Sequence, residues 1–335
     1  MKIGNHIFEK GAALAPMAGV TDAAFRALCR SYGAVYTVSE MVSVKGLTFG
    51  DRKSRQLLAL GEDELPAAIQ LFGDDPDCWK KAIPMALESA PQAAFIDINM
   101  GCPAPKIAGS GGGAALMKDL ALAGRIIETA VSVSPLPVTV KMRLGWDDSL
   151  RNAPQLARIA QEAGAAAICV HGRTREQMYS PPVDIEGIAA VRAEVTIPVI
   201  ANGDVTDSAT ALQMLRRTGC DLVMVGRGAL GHPWVFAEIA AALKGEPLPA
   251  VPAPEERLEI MVEHIRQICR NKGEYVGIRE ARKHAAWYLK GFPGAAGLRK
   301  DCGELASVED ALRLRDKALS LMIAQEREGS FCGSL

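Results

Sequence analysis

The chain has 335 residues, 49% apolar and 23% charged, with a formal net charge of -1 and a mean hydropathy of +0.08; this balance excludes a disordered, fibrous or membrane-embedded chain. Its eight cysteines include no Cys-x-x-Cys, and the nearest two, Cys78 and Cys102, are 24 positions apart, which argues against a disulfide framework and a zinc site, so no metal is expected. The opening MKIGNHIFEKG has no apolar core of a signal peptide, and no run nears the roughly 18 apolar residues that span a bilayer, so a cytoplasmic chain with reduced thiols is expected.

Short apolar runs bounded by Gly, Pro, Asn or Asp recur in order: Ala12 to Met17, Val35 to Glu40, Ala67 to Leu71, Phe95 to Asn99, Val138 to Met142, Ala166 to His171, Pro198 to Ala201 and Leu222 to Val225. Between them lie segments with apolar residues at helical spacing: Asp22 to Ser31, Pro76 to Ser89, Leu120 to Val133, Ala153 to Ala163, Ile185 to Ala193 and Ser208 to Arg217. Strand then helix, eight times over, predicts a (β/α)8 TIM barrel rather than a doubly wound sheet. The longest interval follows the fourth strand, where AGSGGGAALMKD reads as a mobile loop and helix start over the barrel mouth. A Pro-rich linker at residues 245–254 separates a barrel domain, residues 1–244, from a smaller all-α C-terminal domain, residues 255–328. From Arg266 to Lys300 the chain carries nine Lys or Arg against Glu274 and Glu280, a local charge of 9 − 2 = +7.

In such a barrel the C-terminal strand ends build the active site, and here they are polar. The fourth run leads through Asn99-Met100-Gly101-Cys102-Pro103, where Gly101 and Pro103 fix the backbone on either side of a lone thiol. Taken alone, Cys102 reads as a small buried hydrophobe, as most free cysteines are. The other ends present Ala15-Pro16-Met17-Ala18-Gly19, then Gln70, Lys141 with Arg143, His171 with Arg173, Ala201-Asn202-Gly203-Asp204 and Val225-Gly226-Arg227-Gly228. Each alone has a plainer reading, as a turn glycine, an exposed lysine, a core histidine or a loop amide. Together at one end of a barrel they predict a phosphate cradle at the seventh and eighth loops, with backbone N–H groups facing an anion and Arg227 as a clamp. The phosphate is expected to belong to flavin mononucleotide (FMN), with Lys141 near the ring.

These motifs, with Gln70-Leu71-Phe72-Gly73, Gly112-Gly113-Ala114-Ala115-Leu116-Met117 and His171-Gly172-Arg173-Thr174, resemble the tRNA-dihydrouridine synthases, closest to the bacterial type B branch, across residues 12 to 300. The resemblance implies an FMN enzyme that reduces uridine in tRNA to 5,6-dihydrouridine with NADPH. It also implies Cys102 as proton donor to uracil carbon 5, a role suited to a thiol that is mostly protonated at neutral pH. Pro16, Met17, Ala18, Gln70, Lys141, His171, Asn202, Gly203, Asp204, Gly226 and Arg227 are then the expected cofactor contacts, and Asn99, Arg143 and Arg173 the expected contacts to the base. The target uridine must leave its loop to react. The helix-like segment Arg279 to Gly291 resembles the family's basic tail helix, so Arg279, Arg282, Lys283, His284 and Lys290 are expected to grip phosphates. Trp287 and Tyr288 read better as core aromatics. No nicotinamide fold of its own is present, which fits a transient visit by NADPH, and a monomer is expected. Ribosomal RNA remains an alternative substrate. A small-molecule flavin oxidoreductase of the dihydroorotate dehydrogenase kind leaves the basic tail unexplained, and an RNA-binding factor without turnover leaves the polar mouth unexplained.

Overall fold

The computed structural model describes the backbone of residues 1–332 and the side chains of residues 1–325. After a two-stranded hairpin, β1 (Lys2–Ile3) and β2 (His6–Ile7), eight strands form one sheet: β3 (Ala12–Leu14), β4 (Thr37–Ser43), β5 (Ala67–Phe72), β6 (Phe95–Met100), β7 (Val138–Arg143), β8 (Ala167–His171), β9 (Val199–Asn202) and β10 (Leu222–Val225). They are parallel and ordered β3-β10-β9-β8-β7-β6-β5-β4. Hydrogen bonds from Leu14 N to Tyr36 O at 3.0 Å and from Val35 N to Ala12 O at 2.9 Å join the two ends, so the sheet closes into the expected barrel.

The outer helices are α1 (Ala23–Ser31), the short pair α2 (Val44–Thr48) and α3 (Arg52–Leu58), α4 (Pro76–Ser89), the single turn α5 (Pro105–Ala108), then α6 (Leu120–Val133), α7 (Ala153–Glu162), α8 (Ile185–Glu194), α9 (Ser208–Thr218) and α10 (Val235–Lys244). Asp22, Asp75, Asp119, Asp184 and Asp207 stand just before five of them and accept first-turn N–H groups, each cap stabilising its helix by about 1 kcal/mol. Within the expected loop, Gly113–Lys118 forms a tight 3-10 turn whose residues Gly113 to Met117 are buried.

Side chains two apart on a strand share a face. Phe95, Asp97 and Asn99 therefore make one row, Thr139, Lys141 and Arg143 a second, Ala167, Cys169 and His171 a third, and Ile200 and Asn202 a fourth. Each row ends in polar groups at the mouth. The floor is apolar: Phe95, Ala167, Cys169, Ile200, Leu222 and Tyr36 pack with Ile3 and Phe8 from the N-terminal segment. Phe8 and Phe95 each lie 5.1 or 6.3 Å from an aromatic neighbour in the Phe8, Tyr36, Phe95 cluster.

Contacts divide the chain into two units, residues 1–229 with 234–249, and residues 230–233 with 250–335. In the second, α11 (Pro254–Lys272), α12 (Glu274–Tyr288), α13 (Ala295–Cys302) and α14 (Val308–Cys332) pack through Leu258, Met261, Val262, Ile265, Ile278, Ala281 and Leu298. Its core holds two histidines. The rings of His264 and His284 lie 4.6 Å apart, with Trp287 5.0 Å from His284 and the Tyr288 hydroxyl 3.3 Å from His264 Nδ1. Burial, then His264, Lys283 and Lys272, hold the His284 ring well below its usual proton affinity.

His284 is thus neutral when folded and takes up a proton when unfolded. Its contribution is present above about pH 6.5, the unfolded value, and is lost as pH falls below it, by at most about 1.4 kcal/mol per pH unit. Urea unfolding at pH 7 and 5 should show this acid loss, and His284→Gln should flatten it; an unchanged slope would exclude His284 as its source. Among the described residues no helix is long and apolar enough to cross a membrane.

Candidate active site

The mouth is organised by a chain of hydrogen bonds with one direction. Asp97, buried between β5 and β7, accepts from Thr139 Oγ1 at 2.6 Å and from Gln70 Nε2 at 2.7 Å. A carboxylate only accepts, so it fixes which end of the Gln70 amide faces it. Gln70 Oε1 then accepts from Asn99 Nδ2 at 2.8 Å, which turns Asn99 Oδ1 toward the next loop. There it accepts the N–H groups of Gly101 at 3.1 Å and Cys102 at 2.9 Å. Thr139, Asp97, Gln70 and Asn99 therefore position the cysteine loop. Gln70, expected at the cofactor, is 1% exposed, and Asn99, expected at the base, is 7% exposed; both spend their amides on the protein. Burial raises the Asp97 carboxyl despite these bonds and Lys141.

Cys102 itself is half-buried. Its carbonyl accepts from Ala114 N at 3.1 Å. Gly113, at φ +58°, lies against it so closely that a Cβ would stand 2.9 Å from the Cys102 oxygen and 3.1 Å from its Cβ, so the glycine-rich segment is a seat for the thiol loop. Burial raises the thiol pKa, opposed in turn by the Ala104 N–H and the charges of Arg143 and Lys141. The thiol is therefore protonated at neutral pH, and the two cations favour the thiolate left after it gives up a proton.

Across the mouth, the Asn202 amide donates to Met224 O at 2.9 Å and offers its oxygen to Lys141 Nζ at 2.9 Å. The register places Asn99 beside Lys141, and His171 between Arg143 and Asn202. Arg143 donates to Gly101 O at 2.9 Å, Thr174 O at 2.7 Å and Met178 O at 2.8 Å, and burial pulls its pKa down to about 10. It ties the cysteine loop to the loop after β8 and is only 2% exposed.

Arg173, also 2% exposed, donates to Asp204 at 2.6 Å and Pro181 O at 2.6 Å and lies 3.2 Å from His171 Nε2. Arginine only donates, so Nε2 accepts and Nδ1 carries the ring proton. Burial, then Lys141, Arg143, Arg173 and Arg227, keep His171 neutral. Asp204 also takes Arg227 at 3.3 Å and Val183 N at 3.1 Å. With its carboxylate held by two arginines, what Asp204 offers an anion is backbone.

That backbone fits a phosphate. Gly203 and Asp204 have φ of +121° and +50°, and a Cβ on Gly203 would come 2.8 Å from the His171 ring. Among the described residues no protein acceptor takes the N–H of Gly203, Asp204 or Gly226, and Arg227 is exposed beside them. A Cβ on Gly226 would find Ala15 Cβ and Met17 Sδ at 3.7 Å, so the first and eighth loops adjoin. Ala15 N donates to Val225 O at 2.8 Å and Met17 N to Thr21 Oγ1 at 2.9 Å, which orders the Pro16-Met17-Ala18 turn. Sequence reasoning missed Asp97, Thr139 and Glu40, whose carboxylate accepts from Gly19 N; for the two acids the signal was a carboxylate inside a strand.

In the helical unit the expected basic stripe is uneven. Arg279 and Lys290 are exposed and Lys283 is half-buried. Arg282 instead donates twice to Leu305 O, at 3.0 and 2.7 Å. His284 departs from a phosphate-facing place: it is 2% exposed, because its ring fills the aromatic core. Glu263, outside the counted window, pairs with Arg266 and Arg270, and Glu280 with Lys272.

A dihydrouridine synthase family model matches residues 13–324. The chain is 44% identical over 318 residues, 95% of each chain, to a probable tRNA-dihydrouridine synthase of Rickettsia conorii. It is 43% identical over 311 residues, 92% of each, to tRNA-dihydrouridine synthase B of Pseudomonas aeruginosa. In fold alone it is similar to the structure of 6-hydroxypseudooxynicotine amine oxidase from Pseudomonas geniculata N1, with a TM-score of 0.56 and 12% identity over 80% of this chain and 52% of that one.

Proposed function

The chain belongs to the dihydrouridine synthase family, and on that premise we propose that it reduces uridine in tRNA to 5,6-dihydrouridine, with FMN bound in the barrel mouth and NADPH as reductant. The observation that carries the reading is Cys102, a half-buried thiol on a loop fixed by Asn99 and Arg143 at the barrel mouth. The residues present fit FMN: the N–H groups of Gly203, Asp204 and Gly226 with Arg227 for the phosphate, and Lys141 with the Pro16-Met17-Ala18 turn for the ring. FMN supplies hydride transfer between nicotinamide and pyrimidine.

The chain supplies orientation and the proton. Uracil has a polarised carbon-carbon double bond. With hydride delivered to carbon 6, carbon 5 would take the Cys102 proton, and the thiolate would regain a proton from solvent. Lys141, held by Asn202, would stand where it could stabilise negative charge on a bound flavin ring. His171, neutral with its proton on Nδ1, offers one uncharged donor. Residues 1–244 carry this chemistry and residues 255–328 hold RNA, through Arg279, Lys283 and Lys290 rather than Arg282 or His284.

Purified protein should absorb as a flavoprotein, release FMN on denaturation, bleach with NADPH without oxygen and recover its colour with unmodified tRNA. Colourless protein that reconstitution with FMN leaves colourless would sink the reading.

A further inference from the structure

The barrel carries a second feature that the mouth chemistry leaves unused. Directly after β4, the segment of α2 and α3 presents Lys45, Phe49, Arg52, Lys53 and Arg55, all exposed. Phe49 is 79% exposed, a large apolar area for water to cover. Against these four cations the segment 44–58 has one acid, Asp51, giving 4 − 1 = +3 on a chain of net charge -1. Asp51 is spent on the N–H groups of Lys53 and Ser54 and on the Ser54 hydroxyl. It and Asp75 are the acids that feel Lys53 and Lys45 respectively. Among the described residues no carboxylate is in ion-pair contact with any of the four cations.

Folding alone does not account for this placement. Arg52 and Lys53 stand in the first turn of α3, the end where the helix dipole disfavours cations. Phe49 caps the end of α2 and leaves most of its area in water, whereas Val44 and Leu47 of the same helix are buried. Residues that break local preferences without a packing gain mark surfaces held for a partner. The position is also telling. In a barrel the segment that follows a strand's C-terminal end borders the mouth, and β4 delivers Glu40 and Met41 there: Glu40 accepts from Gly19 N, and Met41 Sδ lies 3.6 Å from Asn99 Nδ2.

We propose that this segment is an RNA-docking surface of the barrel, on which Phe49 stacks with one unpaired base of the substrate while Lys45, Arg52, Lys53 and Arg55 hold the flanking phosphates. The inference rests on the proposed action on tRNA. An exposed aromatic among unpaired cations is the arrangement that binds single-stranded loops, because every base has a face to stack and every linkage a charge. The extruded uridine leaves unstacked neighbours, and a platform at the rim of the mouth takes one of them.

The test is binding of an unmodified tRNA transcript across a salt series, with flavin content and circular dichroism as checks of folding. Phe49→Ala should weaken binding about tenfold, Phe49→Tyr should restore it and Phe49→Leu should not. Arg52→Gln, Lys53→Gln and Arg55→Gln combined should lower the slope of log affinity against log salt by about two. Unchanged affinity and slope in folded variants overturn the surface while leaving the enzyme reading standing. Rescue by Leu as good as by Tyr overturns stacking and points to a protein partner. Failure of the wild type itself to bind tRNA overturns the enzyme reading and this surface with it.

Discussion

Cys102→Ala should slow uridine reduction by about 10² to 10⁴-fold, the usual contribution of a positioned general acid, while leaving flavin binding and its reduction by NADPH near wild type. The substitution removes one sulfur atom from a loop whose shape is held elsewhere, by Asn99 Oδ1 on the N–H groups of residues 101 and 102 and by Ala114 N on the Cys102 carbonyl. The loss therefore reports chemistry and not collapse. Cys102→Ser should recover little, since a hydroxyl gives up its proton far less readily. Because burial raises the thiol, wild-type turnover should stay flat through neutral pH and fall only above the ordinary thiol range near 8.5. Full activity of the alanine variant in single-turnover assays would remove Cys102 as the acid.

Glu64→Leu should cost about 3 to 5 kcal/mol of stability. Arg26 is 2% exposed; its Nε donates to Glu64, and its other nitrogens donate to Thr21 O at 2.7 Å and Ala59 O at 3.2 Å. Glu64, 1% exposed, also accepts from Gly61 N. Removing the carboxylate strands a guanidinium in the interior, and that uncompensated charge dominates the loss. The double variant Arg26→Met with Glu64→Leu should regain much of it, because the pair's net contribution is small once both charges are gone. Denaturant unfolding of the four proteins checks this. Equal losses in the single and double variants would contradict it.

The barrel was legible because its signals are local. The runs ending at Leu71, Asn99, His171 and Val225 are short, apolar and bounded, and helices Pro76–Ser89 and Leu120–Val133 match their periodic stretches end to end. The residue types at the mouth were legible too. What each does there was not, because it depends on register. Gln70 and Asn99 read as free amides, yet the pairing of Gln70 with Asp97 turns both into a brace for the thiol loop. Arg143 reads as a ligand-seeking cation, and only the folded loops show three carbonyls converging on it. Arg282 finds its carbonyl at Leu305, 23 residues away, and the burial of His284 follows from the α11 and α12 packing rather than from neighbouring letters. In the glycine-rich run, Gly113 looked mobile by composition but lies against the Cys102 backbone.

The most direct measurement is mass spectrometry of unmodified tRNA incubated with the purified protein, FMN and NADPH, alongside the Cys102→Ala variant. The account predicts that wild-type protein adds two hydrogens to specific uridines and that the variant, flavin-loaded and reduced, adds almost none. Wild-type protein that takes up flavin and accepts hydride yet leaves every uridine unchanged would contradict it.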